Sequence, residues 1–297
     1  MIRRLLLAGT ALAAACAAGS RGTPTAAAPG LTPTPGAPTT PATTEGPAHR
    51  SDAVRYGPSA VRYVLHRRLH IQQALGDQTQ AQDVGARIFV AAAITGPADT
   101  IGYPTTFLVD SIVADSGTPP PIVDNTNKVR KLVFAGRVAP RGEFVNALPS
   151  DSAVSQSVVQ LLGNFRDFLP RLPLDGVQPG AAWTDTVETS QKGTGSEVSR
   201  RTISHSTAGG WEDRLGTRSV RVAGSQSYRV AGGGKNAGQP FELSGAGTGS
   251  GVAYIAADGR YLGGEWQDST TLTVRLPVQG VAVPVIQVTR TTVAVLP

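Results

Sequence analysis

Two histidines stand four residues apart, His66 and His70, the spacing at which imidazoles on one face of a helix would share a metal ion. Their neighbours argue for a strand instead. At ~3.3 Å per residue the two Cα atoms lie ~13 Å apart, too far for both rings to reach one ion. Arg67 also stands where a zinc-protease motif has its glutamate. These histidines are therefore expected on an exposed basic face, with no metal between them. Two carboxylate pairs flank tryptophans, Glu212 and Asp213 after Trp211 and Glu265 and Asp268 around Trp266, a combination in which a glycosidase could use the indole as a sugar platform. Adjacent acids on a strand face apart, however, and turns commonly carry acids. Ser204-His205-Ser206 alternates along a predicted strand, which points the serines away from the histidine. Neither a Gly-x-Ser-x-Gly elbow nor a Ser-x-x-Lys pair is present, so nucleophilic catalysis has no carrier. No catalytic residue, metal site or cofactor is expected.

Two glycine runs invite a phosphate reading and fail it. Gly232-Gly233-Gly234-Lys235 is followed by Asn236 and lacks the upstream glycine of a P-loop. The run from Gly245 to Gly251 precedes a strand, so it has no helix N-terminus to offer a pyrophosphate. Glycine-rich loops or bulges are expected at both.

The elements that would hold these residues are mostly strands. Val61, Tyr63, Leu65, Leu69 and Ile71 alternate with polar residues, a period of two broken only by Arg67, and Val84 to Ile94 alternates again after a turn at Gly76-Asp77-Gln78. These two form an antiparallel hairpin. Further strands are predicted at 105–114, 132–138, 143–147, 183–187, 197–205, 218–223, 227–231, 239–244, 251–256, 261–265, 270–276 and 285–295, with Asp258-Gly259 as a hairpin turn. Gly117 to Pro121 reads as a stiff connecting loop. One amphipathic helix is predicted near 152–169: Val154, Val158, Leu161, Leu162, Phe165 and Leu169 form its apolar stripe, Ser150, Asp151 or Ser152 caps it, and Pro170 ends it. The fold class is mainly β (α+β), an antiparallel meander forming an open barrel or two packed sheets, with the helix closing the concave side.

Thirty-five glycines and 22 prolines among 297 residues favour turns and a tether over a helical bundle. The formal charge of +6 falls to +4 if Arg3 and Arg4 are removed, and the charges are scattered singly, which argues against nucleic acid as a partner. Arg3 and Arg4, the apolar run Leu5 to Ala15 and the small residues around Cys16 have the three parts of a secretory signal over residues 1–15. Residues 16–50, dense in Pro, Thr, Ala and Gly, are expected to be a disordered tether reaching ~90–100 Å if extended. Residues 51–297 are expected to form a single β-rich domain in two strand regions flanking the helix.

Leu12-Ala13-Ala14-Ala15-Cys16 resembles a bacterial lipobox, although the leucine lies four residues before the cysteine instead of three. The resemblance implies a diacylglyceryl group on Cys16 and cleavage before it. Ala17, where aspartate would mark inner-membrane retention, implies an outer-membrane destination facing the periplasm; plain signal cleavage would leave the protein secreted. Val177-x-Pro179-Gly180-x-x-Trp183, leading into a strand, is similar to a stretch in uncharacterised lipid-anchored β-rich bacterial envelope proteins, with Ala181 where a polar residue is usual. A half-barrel with a helical lid resembles, in outline, bacterial carriers and lipid-binding lipoproteins. The function expected is therefore non-enzymatic: binding of a hydrophobic or amphipathic ligand, or an envelope partner protein, in the concavity, with Val158, Leu162, Phe165 and Trp183 as candidate contacts and the membrane reached through the anchor. The alternatives are a structural scaffold with a filled core and an envelope hydrolase.

Overall fold

The computed structural model describes residues 53–76, 78–126, 129, 131–157, 165–193, 195–236 and 238–297. Eleven strands run β1 (Ser59–Leu75), β2 (Gln78–Ile94), β3 (Tyr103–Ala114), β4 (Leu132–Val138), β5 (Phe144–Pro149), β6 (Ala182–Gly193), β7 (Ser196–Arg214), β8 (Thr217–Asn236), β9 (Gln239–Ala256), β10 (Tyr261–Leu276) and β11 (Val281–Leu296). They form one antiparallel sheet in the order β5-β4-β3-β2-β1-β11-β10-β9-β8-β7-β6. Nine of the ten adjacencies are meander steps and the tenth is the pairing of β1 with β11, which leaves β5 and β6 as the two edges. The class read from the sequence, mainly β with an open antiparallel meander, is the one observed.

Alternation decides which side chains face inward. On β1, Tyr63, Leu65, Leu69 and Ile71 are buried while Arg62 and Arg68 are exposed, and the same period continues in β2 through Ile88, Val90, Ala92 and Ile94. Fully buried Phe107 on β3 and Phe144 on β5 meet edge to face at 4.8 Å. The outward positions of β9 and β10 are Glu242, Ser244, Thr248, Ser250, Glu265, Gln267, Ser269 and Thr271, all exposed. Those positions are polar, whereas a membrane-crossing barrel presents an apolar band ~25 Å tall. Among the described residues no helix is long and apolar enough to cross a membrane.

Several expectations are corrected. The separate strands predicted at 218–223 and 227–231 are one strand, β8; those at 239–244 and 251–256 are β9; those at 261–265 and 270–276 are β10. The glycine runs are not loops or bulges. Gly245, Gly247, Gly249 and Gly251 lie mid-strand in β9 in unbroken register with β8 and alternate toward the interior, and Gly232 to Lys235 lie in β8. The reason is space: a Cβ on Gly247 would run into the ring of Tyr228, and one on Gly251 or Gly224 would meet the indole of Trp266. Glycines let two large aromatic side chains lie flat on the neighbouring strands.

Helical structure also differs from the prediction. The expected connector at Gly117 to Pro121 feeds α1 (Pro120–Thr126), so the helix near 152–169 is not the lone one. There α2 (Ser152–Ser157) is followed by a 3-10 turn at Phe165–Asp167. Asp151 caps α2, its carboxylate accepting the Val154 amide at 2.9 Å. Val158, Leu161 and Leu162 lie outside the described residues.

Candidate functional site

The chain from Phe165 to Leu172 passes over the concave side of the sheet, and its attachment explains how an open sheet keeps an interior. Phe168 packs between Tyr63 (5.2 Å), Phe107 (5.1 Å) and Tyr261 (5.8 Å), and Phe165 lies against Phe107 and Phe134 at 5.3 and 4.9 Å. Tyr56 donates its hydroxyl to the Pro170 carbonyl at 2.6 Å, and the Leu172 amide bonds to the Arg141 carbonyl at 3.0 Å. Between these anchors Arg171 reaches both edges. Its guanidinium contacts Asp185 on β6 at 2.9 Å and Glu143, just before β5, at 3.1 Å, while Arg141 contacts Asp185 at 3.1 Å. An ionic clasp thus joins the two ends of the sheet that no strand ladder joins among the described residues.

Under this strap lies a cavity of ≈ 430 Å³, lined by β1, β6 to β11 and residues 165–171. Its size is that of a small-molecule site. Apolar lining comes from Leu65, Phe168, Val187, Val222, Val230 and Val293; polar lining comes from Arg67, Thr202, Gln226, Asp268, Thr289 and Thr291. Strand register sets these in rows. Arg67 on β1 pairs with Thr291 on β11, which pairs with Trp266 on β10, which pairs with Gly251 on β9. In the next row Thr289 faces Asp268, whose carboxylate accepts the Gln226 amide at 2.6 Å.

Of the predicted ligand contacts, Phe165 is buried and lines the cavity. Trp183 is partly buried against the core on β6, apart from the cavity lining. Val158 and Leu162, like Cys16, lie outside the described residues. Of the acids and the histidine weighed for hydrolysis, Glu265 and Asp268 both border the cavity, on opposite faces of β10, and His205 does not. His205 is exposed and bonds Thr184 at 2.9 Å, Glu265 is exposed, and Asp268 points inward. His66 and His70 turn to different carboxylates, Asp115 and Asp83, each at 2.8 Å. Glu212 and Asp213 sit at the end of β7, where Asp213 accepts the Gly216 amide in the turn. Sequence reasoning missed Arg67, Arg171 and Arg200 as interior groups. For Arg67 the signal was present, a basic residue on the apolar face of β1; Arg171 sits in an irregular segment that periodicity does not read.

No protein-family model and no curated protein matches the chain. Three crystal structures from Pseudomonas aeruginosa are similar at low level. OccK2 (OpdF) aligns at 9% identity and a TM-score of 0.29, over 80% of this chain and 98% of that one. OccK8 (OprE) aligns at 7% and 0.21, over 80% and 98%. OccK2 in complex with glucuronate aligns at 9% and 0.20, over 83% and 100%. Likeness at this level does not establish a shared fold. The architecture itself defines the class: an open antiparallel meander, strapped across its concave side, with a mixed apolar and polar cavity inside.

Proposed function

We propose that this chain is a non-enzymatic protein of a bacterial cell envelope that holds a hydrophobic or amphipathic small molecule in the cavity beneath the 165–172 strap. The observation that carries the reading is the ≈ 430 Å³ space itself, walled by seven strands and left unfilled beneath the strap. A scaffold needs no such space, since an empty volume in a core forfeits packing energy. His205 lies outside the cavity lining, and Glu265 and Asp268 point to opposite faces of β10, which weighs against the hydrolase alternative. In this reading the lipid on Cys16 and the tether to about residue 50 moor the domain at the outer membrane, and the polar outward faces of β9 and β10 suit a body standing in the aqueous periplasm.

Two measurements test it. Native mass spectrometry of protein extracted from membranes should show an adduct of lipid-like mass, and none across several extractions would refute ligand carriage. The intact mass of the mature N-terminus should show cleavage before an acylated Cys16, and Cys16→Ser should release the chain from membranes. Membrane retention by that variant would refute the anchor.

A further inference from the structure

Arg67 occupies a position that the strand pattern reserves for an apolar side chain. The inward residues of β1 run Tyr63, Leu65, Arg67, Leu69, Ile71, and the other four are buried. The Arg67 Nε is shielded from solvent and has no hydrogen-bond partner among the described residues. The other arginines at the cavity are committed: Arg171 to Asp185 and Glu143, Arg200 to the Tyr228 ring at 3.7 Å and to Thr202. Asp268 already accepts a bond from Gln226, and Arg67 forms no ion pair with it. A buried guanidinium N–H without an acceptor is costly, and an arriving anion would offset that cost. Loss of hydration pushes the Arg67 pKa down while Asp268 opposes the shift, consistent with an interior cation that lacks a full counter-charge.

Position adds a second constraint. Arg67 pairs across strands with Thr291, a hydroxyl lining the same cavity, and Trp266 follows in that row; Leu65, Phe168 and Val293 form an apolar wall beside them. A carboxylate or phosphate oxygen at Arg67 would meet a fork of N–H donors and a neighbouring hydroxyl, with an alkyl portion against that wall. We propose that the ligand is an anionic amphiphile whose carboxylate or phosphate monoester docks on Arg67. This rests on the cavity being a binding site, as proposed above.

The test is titration of the purified full chain with decanoate, decyl phosphate, decanol, acetate and inorganic phosphate, below micellar concentrations, followed by calorimetry and tryptophan emission. Decanoate or decyl phosphate should bind roughly ten-fold or more tightly than decanol. Arg67→Gln should abolish that preference while leaving decanol binding unchanged, and Arg67→Lys should restore part of it. Equal binding of acid and alcohol by the unaltered protein, or a preference that survives Arg67→Gln, overturns the anion assignment while the cavity reading stands. Inorganic phosphate or acetate binding as tightly as the decyl compounds overturns the amphiphile assignment. If none of the decyl compounds binds, the cavity reading falls and this inference with it. Should Arg67→Gln not fold, the acid and alcohol comparison on the unaltered protein still decides.

Discussion

Phe168→Ala tests whether the 165–172 strap is a structural part of the domain or a loop resting on it. Phe168 is 9% exposed, and its ring packs against Tyr63, Phe107 and Tyr261 with centroids between 5.1 and 5.8 Å. Truncating a buried phenylalanine to alanine costs about 3 to 5 kcal/mol, which includes the cavity left behind. Three aromatic contacts at good geometry, each adding about 0.5 to 1.5 kcal/mol, place this site toward the upper end. A domain of this kind has only about 5 to 15 kcal/mol of net stability, so the variant should lose a large share of it. Urea unfolding followed by circular dichroism reads the effect as a fall in midpoint with unchanged slope. Phe168→Leu, which keeps most of the volume, should lose less than half as much. A loss under about 1 kcal/mol for the alanine variant would mean that the strap lifts away freely, and the enclosed cavity would no longer be a property of the folded state.

Gly247→Ala should destabilise by about 1 to 3 kcal/mol through collision with Tyr228, while Thr248→Ala one residue on, facing outward, should stay within about 0.5 kcal/mol; equal effects in urea unfolding would refute the inward glycine face. Asp185→Asn removes the carboxylate shared by Arg171 and Arg141 and should cost about 3 kcal/mol, with faster amide exchange in β6 than in β2; uniform exchange would contradict the clasp. The Arg137 guanidinium at 2.8 Å, helped by the amides of Gly102 and Ile101, holds the Asp99 carboxyl down at about 2. Because the folded pKa is the lower one, this interaction supports the 96–102 turn fully above the ordinary carboxylate pKa and is lost as pH falls toward 2. Carboxyl-detected titration should give that low midpoint, and Arg137→Gln should raise it; a midpoint near 4 in the unaltered protein would refute the contact.

Strand period made β1, β2, β4 and β11 legible because each buries one face and exposes the other. The same rule failed in β8, β9 and β10. There the inward positions include Gly224, Gln226, Gly247, Gly249, Trp266 and Asp268, which do not stand out from the Ser and Thr of the outward face. Polar and glycine positions are where an apolar pattern looks broken, and here they are also where the cavity lies. Arg67 carried the clearest trace of the site, a single interruption in an otherwise apolar face. The clasp left no trace, since Arg141, Glu143, Arg171 and Asp185 come from three separate segments and only the fold places them together.

The glycine face and the buried arginine are connected through the geometry of the sheet. A curled sheet with large apolar residues at every inward position would fill its own interior, as β1 to β5 do around Phe107 and Phe144. On β9 four alternate inward positions carry no side chain, so the rings of Tyr228 and Trp266 lie flat over that strand instead of projecting inward past side chains. Unpacked volume costs stability, and so does a desolvated cation without a partner. Both costs fall on the same side of one cavity, beneath a strap that three aromatic contacts and an ion cluster hold shut. A ligand with an apolar body and an anionic end would relieve the two together, filling the volume and supplying the counter-charge at Arg67, so its binding should raise the stability of the whole domain by mass action.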